Sequence, residues 1–341
     1  MSTHRNKHVL LEEESPKIPT KSIEKSQSSP LDFVSTGVGC FAFALIERVG
    51  ILSILQQKGY FAEIELNDHK KFKNLLAIKS ALLSLCLCKV LIKNNAQYQL
   101  TDLGLKLAEH IGLVTMVFEG YGELMAKGGM IACGKMNKPE KYLNGASIAL
   151  SSIQFGEKLV DPIVIDVIKK LRLKGTICDL GCGSANRLFK LCKDTSLPGL
   201  GLDASPEAVK IARKLTEAYP TINIELADAA KLEGIWEDVQ VLMQCFMTHD
   251  IFPDEKLVQS LSSYLENFPN LKYFIIVDIV APEENLSSHM PAYDYVHGLL
   301  GIETRRYDRF AALLSQSKYK ITKEVPIDMP NTYLWILRPY P

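Results

Sequence analysis

The stretch Cys178-Asp179-Leu180-Gly181-Cys182-Gly183-Ser184-Ala185-Asn186 decides the fold. It begins in the apolar run Thr176-Ile177-Cys178-Asp179-Leu180, which reads as a short buried strand, and leads into a helix from Ala185 to Lys193. Gly181 and Gly183 let the backbone bend sharply and approach a ligand without a Cβ collision, at the point where doubly wound sheets bind nucleotides. Asp203 ends the next strand, Gly199-Leu200-Gly201-Leu202-Asp203, where a carboxylate can accept both ribose hydroxyls. A dinucleotide reader would carry a third glycine where this chain has Asn186, and that disfavours NAD.

Outward from this bend, helices and buried strands alternate from Asp161 onward. Asp161-Pro162 opens a helix over Ile163 to Leu171, and Ser205-Pro206-Glu207 caps another through Tyr219. Ile222 to Leu226, Asp238 to Phe246 and Tyr273 to Val280 read as further strands, and Leu257 to Leu265 as a helix. Right-handed crossovers turn such alternation into an α/β fold, a parallel sheet with helices on both faces. The pattern predicts a Rossmann-like doubly wound domain over 161–341.

The N-terminal part differs. Residues 1–30 mix His, Lys, Glu, Ser and Pro and read as a disordered tail. From 31 to 112 the pattern is helix, helix, short hairpin and helix, a winged-helix arrangement, with Thr101 capping the helix that starts at Asp102. Its apolar body suits a subunit interface, so a homodimer is expected. Glycine-rich 113–160 reads as helices broken by loops, a linker that lines a substrate pocket. With 39 basic and 39 acidic residues there is no net charge to hold nucleic acid or an anionic membrane, which points to a small-molecule partner. The run from Phe33 to Leu55 is interrupted by Glu47 and Arg48 short of the ~20 apolar residues of a membrane span, and reads as a buried helix. Eight cysteines in mostly apolar runs suit reduced thiols and a cytoplasmic setting.

Asp179-Leu180-Gly181-Cys182-Gly183 resembles the first motif of the class I S-adenosylmethionine-dependent methyltransferases, Asp/Glu-x-Gly-x-Gly after the first strand. By that resemblance Asp179 and Gly181 meet the methionyl part of S-adenosylmethionine, Asp203 its ribose, and Asp228 the adenine amine, with Gly183 also among the cofactor-binding residues. Tyr98-Gln99-Leu100-Thr101-Asp102-Leu103-Gly104 and Phe246-Met247-Thr248-His249-Asp250-Ile251 resemble the dimeric small-molecule O-methyltransferases, with Ile251 in place of their tryptophan. In that family the histidine matched by His249 is the general base.

Of the seven histidines, His249 and His297 stand apart; His4, His8, His69, His110 and His289 lie in the tail, near polar turns or in a loop. The pair resembles the two histidines of the metal-dependent 2-oxo acid C-methyltransferases. That resemblance implies a metal at His249 and His297, chelated by the 2-oxo acid, and methyl transfer to C3 through a metal-stabilised enolate. Imidazole suits iron, nickel and zinc alike. Asp250 is expected to orient His249 or hold a metal-bound water, and Lys127 to neutralise substrate charge. Tyr121, Met125, Tyr293, Arg305 and Arg306 are further pocket candidates. Two alternatives remain open: O-methylation with His249 as base, and a non-catalytic winged-helix regulator or scaffold.

Overall fold

The computed structural model describes residues 29–68, 72–281 and 291–340. Most of the 1–30 tail, with His4 and His8, lies outside them, as do His69 and His289.

The N-terminal part is built on helix Pro30–Arg48, capped by Ser29, whose hydroxyl accepts the Asp32 N–H at 3.1 Å. Helix Ile51–Lys58, strand β1 (Phe61–Ala62), helix Leu75–Leu87, the hairpin β2 (Leu91–Asn94) and β3 (Gln97–Leu100), and helix Asp102–Glu109 follow. The three strands pair antiparallel in the order β1-β3-β2. Thr101 caps the last helix as expected, accepting the Gly104 N–H, and its own hydroxyl donates to Lys89 O at 2.7 Å. A Cβ on Gly104 would lie 2.3 Å from Val90 O, so this turn closes only around glycine.

The first helix departs from the expectation of burial. Phe43, Ala44 and Ile46 are buried, whereas Leu31, Phe33, Val34, Val38 and Phe41 are exposed. By length and composition alone it is long and apolar enough to cross a membrane, so Glu47 and Arg48 do not cut it as short as the sequence suggested. Its buried face packs against helix Leu75–Leu87.

The bridge from 111 to 160 consists of short helices, as expected, among them π-helical turns at Met116–Gly120 and Gly156–Val160. The second turn joins helix Gly145–Phe155 to helix Asp161–Lys170, so 145–170 is one helical run.

The second half is the doubly wound α/β fold. Strands β4 (Thr176–Leu180), β5 (Gly199–Asp203), β6 (Ile222–Leu226), β7 (Val239–Cys245) and β8 (Tyr273–Ile279) form its parallel part. The sheet extends further than the alternation predicted, because β9 (Tyr319–Pro326) and β10 (Thr332–Pro339) add an antiparallel hairpin against β8. The order is β6-β5-β4-β7-β8-β10-β9. Each face carries its own core: Val164, Leu188 and Val209 pack on one side, Leu257, Leu261 and Phe310 on the other. The direction of chain reversal lies between β4 and β5 on one side and β7 on the other, so ligands are expected at the C-terminal ends of these strands.

Candidate active site

Two cavities meet at that edge. The first, about 260 Å³, is floored by the turn after β4 and roofed by residues of the 145–170 run, including Phe155 and Gly156. Gly181 and Gly183 adopt left-handed φ values of 70° and 55°. A Cβ on Gly181 would come within 2.5 Å of Met247 Sδ, whereas Gly183 faces open space. This is the ligand-accessible bend that the motif demands.

Gly181 and Gly183 line this cavity, and Asp179 and Asp203 adjoin the turn they form. Asp203 accepts the Gly183 N–H at 2.8 Å and the Ser205 N–H at 2.9 Å, which locks its carboxylate beside the glycine turn. Asp228 stands exposed after β6, its carboxylate accepting the Ala230 N–H at 2.9 Å. Asp179 is 2% exposed, and one carboxylate oxygen, Oδ1, is buried with no hydrogen-bond partner. Burial raises its pKa to about 7; Arg187 opposes the rise, while Asp161 and Asp203 add to it. An orphaned buried acid beside an open glycine cradle fits a cationic ligand.

The second cavity, about 340 Å³, lies behind Ser152, Phe155 and Phe246, which line both. Phe155 and Phe246 meet edge to face, ring centroids 5.4 Å apart, and form a thin partition. Leu113, Met116, Val117, Ile148, Val296, Leu300 and Met329 make most of the remaining wall apolar. Among the described residues, no lysine or arginine lines it.

At one end of this cavity stand two histidines. His249 sits on the 3-10 turn Thr248–Asp250 after β7, where its N–H donates to Asp278 Oδ2 at 3.0 Å and its ring Nδ1 meets Asp278 Oδ1 at 2.5 Å. Asp278, 2% exposed on β8, therefore orients the ring and leaves Nε2 for the cavity. Of the two roles expected for Asp250, orienting the ring thus falls to Asp278, while Asp250 is half exposed and lies 3.6 Å from Nε2. Burial alone would lower the pKa of His249, but the charge and hydrogen bond of Asp278, with Asp250 adding to them, raise it to about 9.

His297, on helix Pro291–Leu299, is held by a 2.6 Å hydrogen bond from Nδ1 to the Tyr293 carbonyl one turn earlier. Its Nε2 is then the free lone pair. The two rings lie 4.9 Å apart at 83°. Burial, and next the charge of His249, lower the His297 pKa. Ligand atoms of His249, Asp250 and His297 all lie within 4.8 Å of one another. Two imidazoles and a carboxylate form a donor set that suits a transition metal, with positions left for a chelating substrate.

Other candidates are placed differently. Lys127 lies between helices Gly122–Ala126 and Gly128–Ala132 and lines neither cavity, so the cation expected from that segment is not at the site. Tyr121 and Tyr293 line the second cavity, and Met125 does not. Burial, then Asp250, push the Tyr121 hydroxyl up to about 12, so it stays a neutral donor. Arg305 is structural: 3% exposed, it donates to Asp254 at 2.7 Å and to Ile251 O at 2.6 Å, bracing the turn that carries His249. Arg306 is exposed beside Asp308. Sequence reading missed Asp278; its signal was one acid inside the apolar strand Phe274-Ile275-Ile276-Val277-Asp278-Ile279.

Residues 177–267 match a family model described as a methyltransferase domain. The chain is 30% identical to an indolepyruvate C-methyltransferase of Streptomyces griseus over 318 residues, 92% of this chain and 95% of the relative. Among solved structures, mitomycin 7-O-methyltransferase superposes with a TM-score of 0.66 at 15% identity, covering 91% of this chain and 96% of that one. A methyltransferase of calicheamicin biosynthesis, in its SAH-bound form, does so with a TM-score of 0.66 at 16% identity and the same coverage.

Proposed function

Because the chain belongs to the S-adenosylmethionine-dependent methyltransferases, we propose that it methylates C3 of a 2-oxo acid with the help of a metal ion held by His249 and His297, with Asp250 beside them. Membership of this family displaces the non-catalytic scaffold alternative. The observation that carries the reading is the donor set itself: two fixed imidazoles converge in a cavity that offers an anionic substrate no lysine or arginine among the described residues. The named relative, an indolepyruvate C-methyltransferase, supports the acceptor class.

S-adenosylmethionine supplies a methyl group on a sulfonium cation, and a bound metal supplies Lewis-acid polarisation of the acceptor's ketone, which makes the C3 proton acidic. The residues of the chain do the rest. Asp278 and the Tyr293 carbonyl fix the two rings so that each Nε2 faces the acceptor. The Asp278 carboxylate favours the protonated ring of His249, and Nε2 must give up that proton before it can act as a ligand or a base. Asp250, beside Nε2 and half exposed, is the group placed to take the C3 proton and pass it to solvent. Phe155, Phe246 and Ser152 form the boundary across which the methyl group moves, and the apolar wall excludes water.

The decisive experiment follows C3–H exchange of a 2-oxo acid in deuterated buffer by NMR, without S-adenosylmethionine. Exchange should stop after chelation, return with added metal, and be lost in His297→Ala. Full turnover in strong chelator would sink the proposal. A methyl group found on oxygen in the product would favour the second reading, O-methylation with His249 as base, for which the His249–Asp278 dyad is itself suited.

The reading extends to the assembly. Residues 31–112 form the winged-helix dimerisation domain in this proposal, and a second copy covers the exposed Phe33, Val34, Val38, Leu76, Leu83 and Leu87. Equilibrium sedimentation should give a dimer, and the double substitution Phe33→Glu and Val38→Glu a monomer. The eight free thiols suit a cytoplasmic location.

A further inference from the structure

The polar groups that line the acceptor cavity are nearly all engaged. His249, Asp250 and His297 make up the donor set at its end. Ser152 gives its hydroxyl proton to Ile148 O at 2.8 Å. The Tyr293 ring lies against both imidazoles, its centroid 5.4 Å from that of His249 and 4.2 Å from that of His297. Tyr121 differs: it lines the cavity, and among the described residues its hydroxyl has no hydrogen-bond partner.

The backbone puts Tyr121 there. Leu113, Met116 and Val117 line the same cavity at three- and four-residue steps, one stripe of a helix. In an unbroken α-helix, at ~100° per residue, Gly120 would come next to the middle of that stripe and Tyr121 would fall to its margin. The π-helical turn Met116–Gly120 adds one residue, closed by the Tyr121 N–H donating to Met116 O at 3.0 Å, and turns Tyr121 inward. Gly120 packs instead against the facing helix Gly145–Phe155: an added Cβ would lie 2.7 Å from Ile148 Cγ1, and its carbonyl accepts the Asn144 N–H at 2.9 Å. The charge of Asp250 acts on the Tyr121 hydroxyl, which therefore stands toward the histidine end of the cavity.

A 2-oxo acid brings a carboxylate to that end, and no lysine or arginine lines the cavity among the described residues. A lysine or arginine there would also repel a metal ion held by the histidines, whereas a neutral phenol gives a charge-assisted hydrogen bond without that repulsion. We propose that the Tyr121 hydroxyl donates a hydrogen bond to the carboxylate of the 2-oxo acid, and so is the residue by which this cavity tells a 2-oxo acid from a neutral ester. The assignment rests on the proposed C-methylation and adds to it a specificity residue that neither the histidine pair nor the glycine motif supplies.

The test is titration calorimetry on the metal-loaded full chain with two probes that suit the apolar wall, 4-methyl-2-oxopentanoate and its methyl ester, which keeps both carbonyl oxygens and lacks the charge. The wild type should prefer the acid. In Tyr121→Phe the ratio of the two affinities should fall about 10- to 100-fold, and Tyr121→Gln, which keeps a donor, should restore part of it. A ratio that Tyr121→Phe leaves in place, whether both probes weaken together or neither does, overturns the proposal. So does a wild type that binds the two equally. C3–H exchange of the acid by the same metal-loaded wild type is followed alongside: where it occurs, such failures fall on Tyr121 alone; its absence overturns the C-methylation reading and the proposal with it.

Discussion

The two cavities at the sheet edge are built on opposite principles. The cofactor cavity has charged groups in its wall and a floor that is short-range in origin: its turn, its two glycines and Asp179 lie within five consecutive residues, and Asp203 is hydrogen-bonded directly to that turn. The acceptor cavity is apolar and long-range, assembled from residues between Leu113 and Met329, with its two histidines on separate elements. A binding function shared by many chains can be written in one bend. A substrate choice needs several elements folded around it.

That contrast predicts separable losses. His249→Ala should reduce kcat by about 10²- to 10⁴-fold and leave the affinity for S-adenosylhomocysteine within twofold; a parallel fall in both would show that the cavities are one energetic unit. Asp278→Asn removes the group that holds Nδ1, and should cost about 10- to 100-fold in metal affinity or turnover, again without touching the cofactor. Stopped-flow turnover and metal titration would read this. Gly181→Ala acts on the other side. Its Cβ meets Met247 and its φ is left-handed, so the fold should lose about 1–2 kcal/mol and the cofactor affinity should fall, while metal-dependent C3 exchange persists.

A pH-dependent effect concerns Asp179. Its pKa is raised by burial, with Asp161 and Asp203 adding and Arg187 opposing, and Cys182 and Cys192 lie nearby as uncharged thiols. A raised carboxyl keeps a proton in the empty folded state that the unfolded chain has already released. Its contribution to stability is therefore full below the ordinary carboxylate range and disappears as pH rises through about 7. The stability of Asp179→Asn relative to wild type should rise across that window and level off above it. Binding of S-adenosylhomocysteine near pH 6.5 should release protons from the wild type, detectable by calorimetry in buffers of different ionisation enthalpy.

The same contrast explains what the sequence revealed. The glycine bend, the alternating core and the Thr101 cap depend on near neighbours, and each could be read from spacing. The β9–β10 hairpin went unread because its strands are antiparallel additions outside the helix–strand rhythm. Asp278 lies 29 residues from His249, and although it stands out as the one acid of an apolar strand, nothing local ties it to that histidine. Asp250, adjacent in sequence, suggests itself either to orient the ring or to hold a metal-bound water, and the first of these roles belongs to Asp278. Lys127 failed for a related reason: its glycine-rich neighbourhood folds into short helices that carry it away from the cavity. The two π-helical turns have no sequence signature at all, yet each contributes to a cavity wall.

The second of those turns sits in the middle of the helical run 145–170, with Ile148 and Ser152 facing the acceptor on one side and Glu157 and Asp161 facing the donor on the other. A single rod thus feels both occupants. Thermodynamic reciprocity then requires that whatever factor one occupant adds to the grip on its neighbour is returned in equal measure.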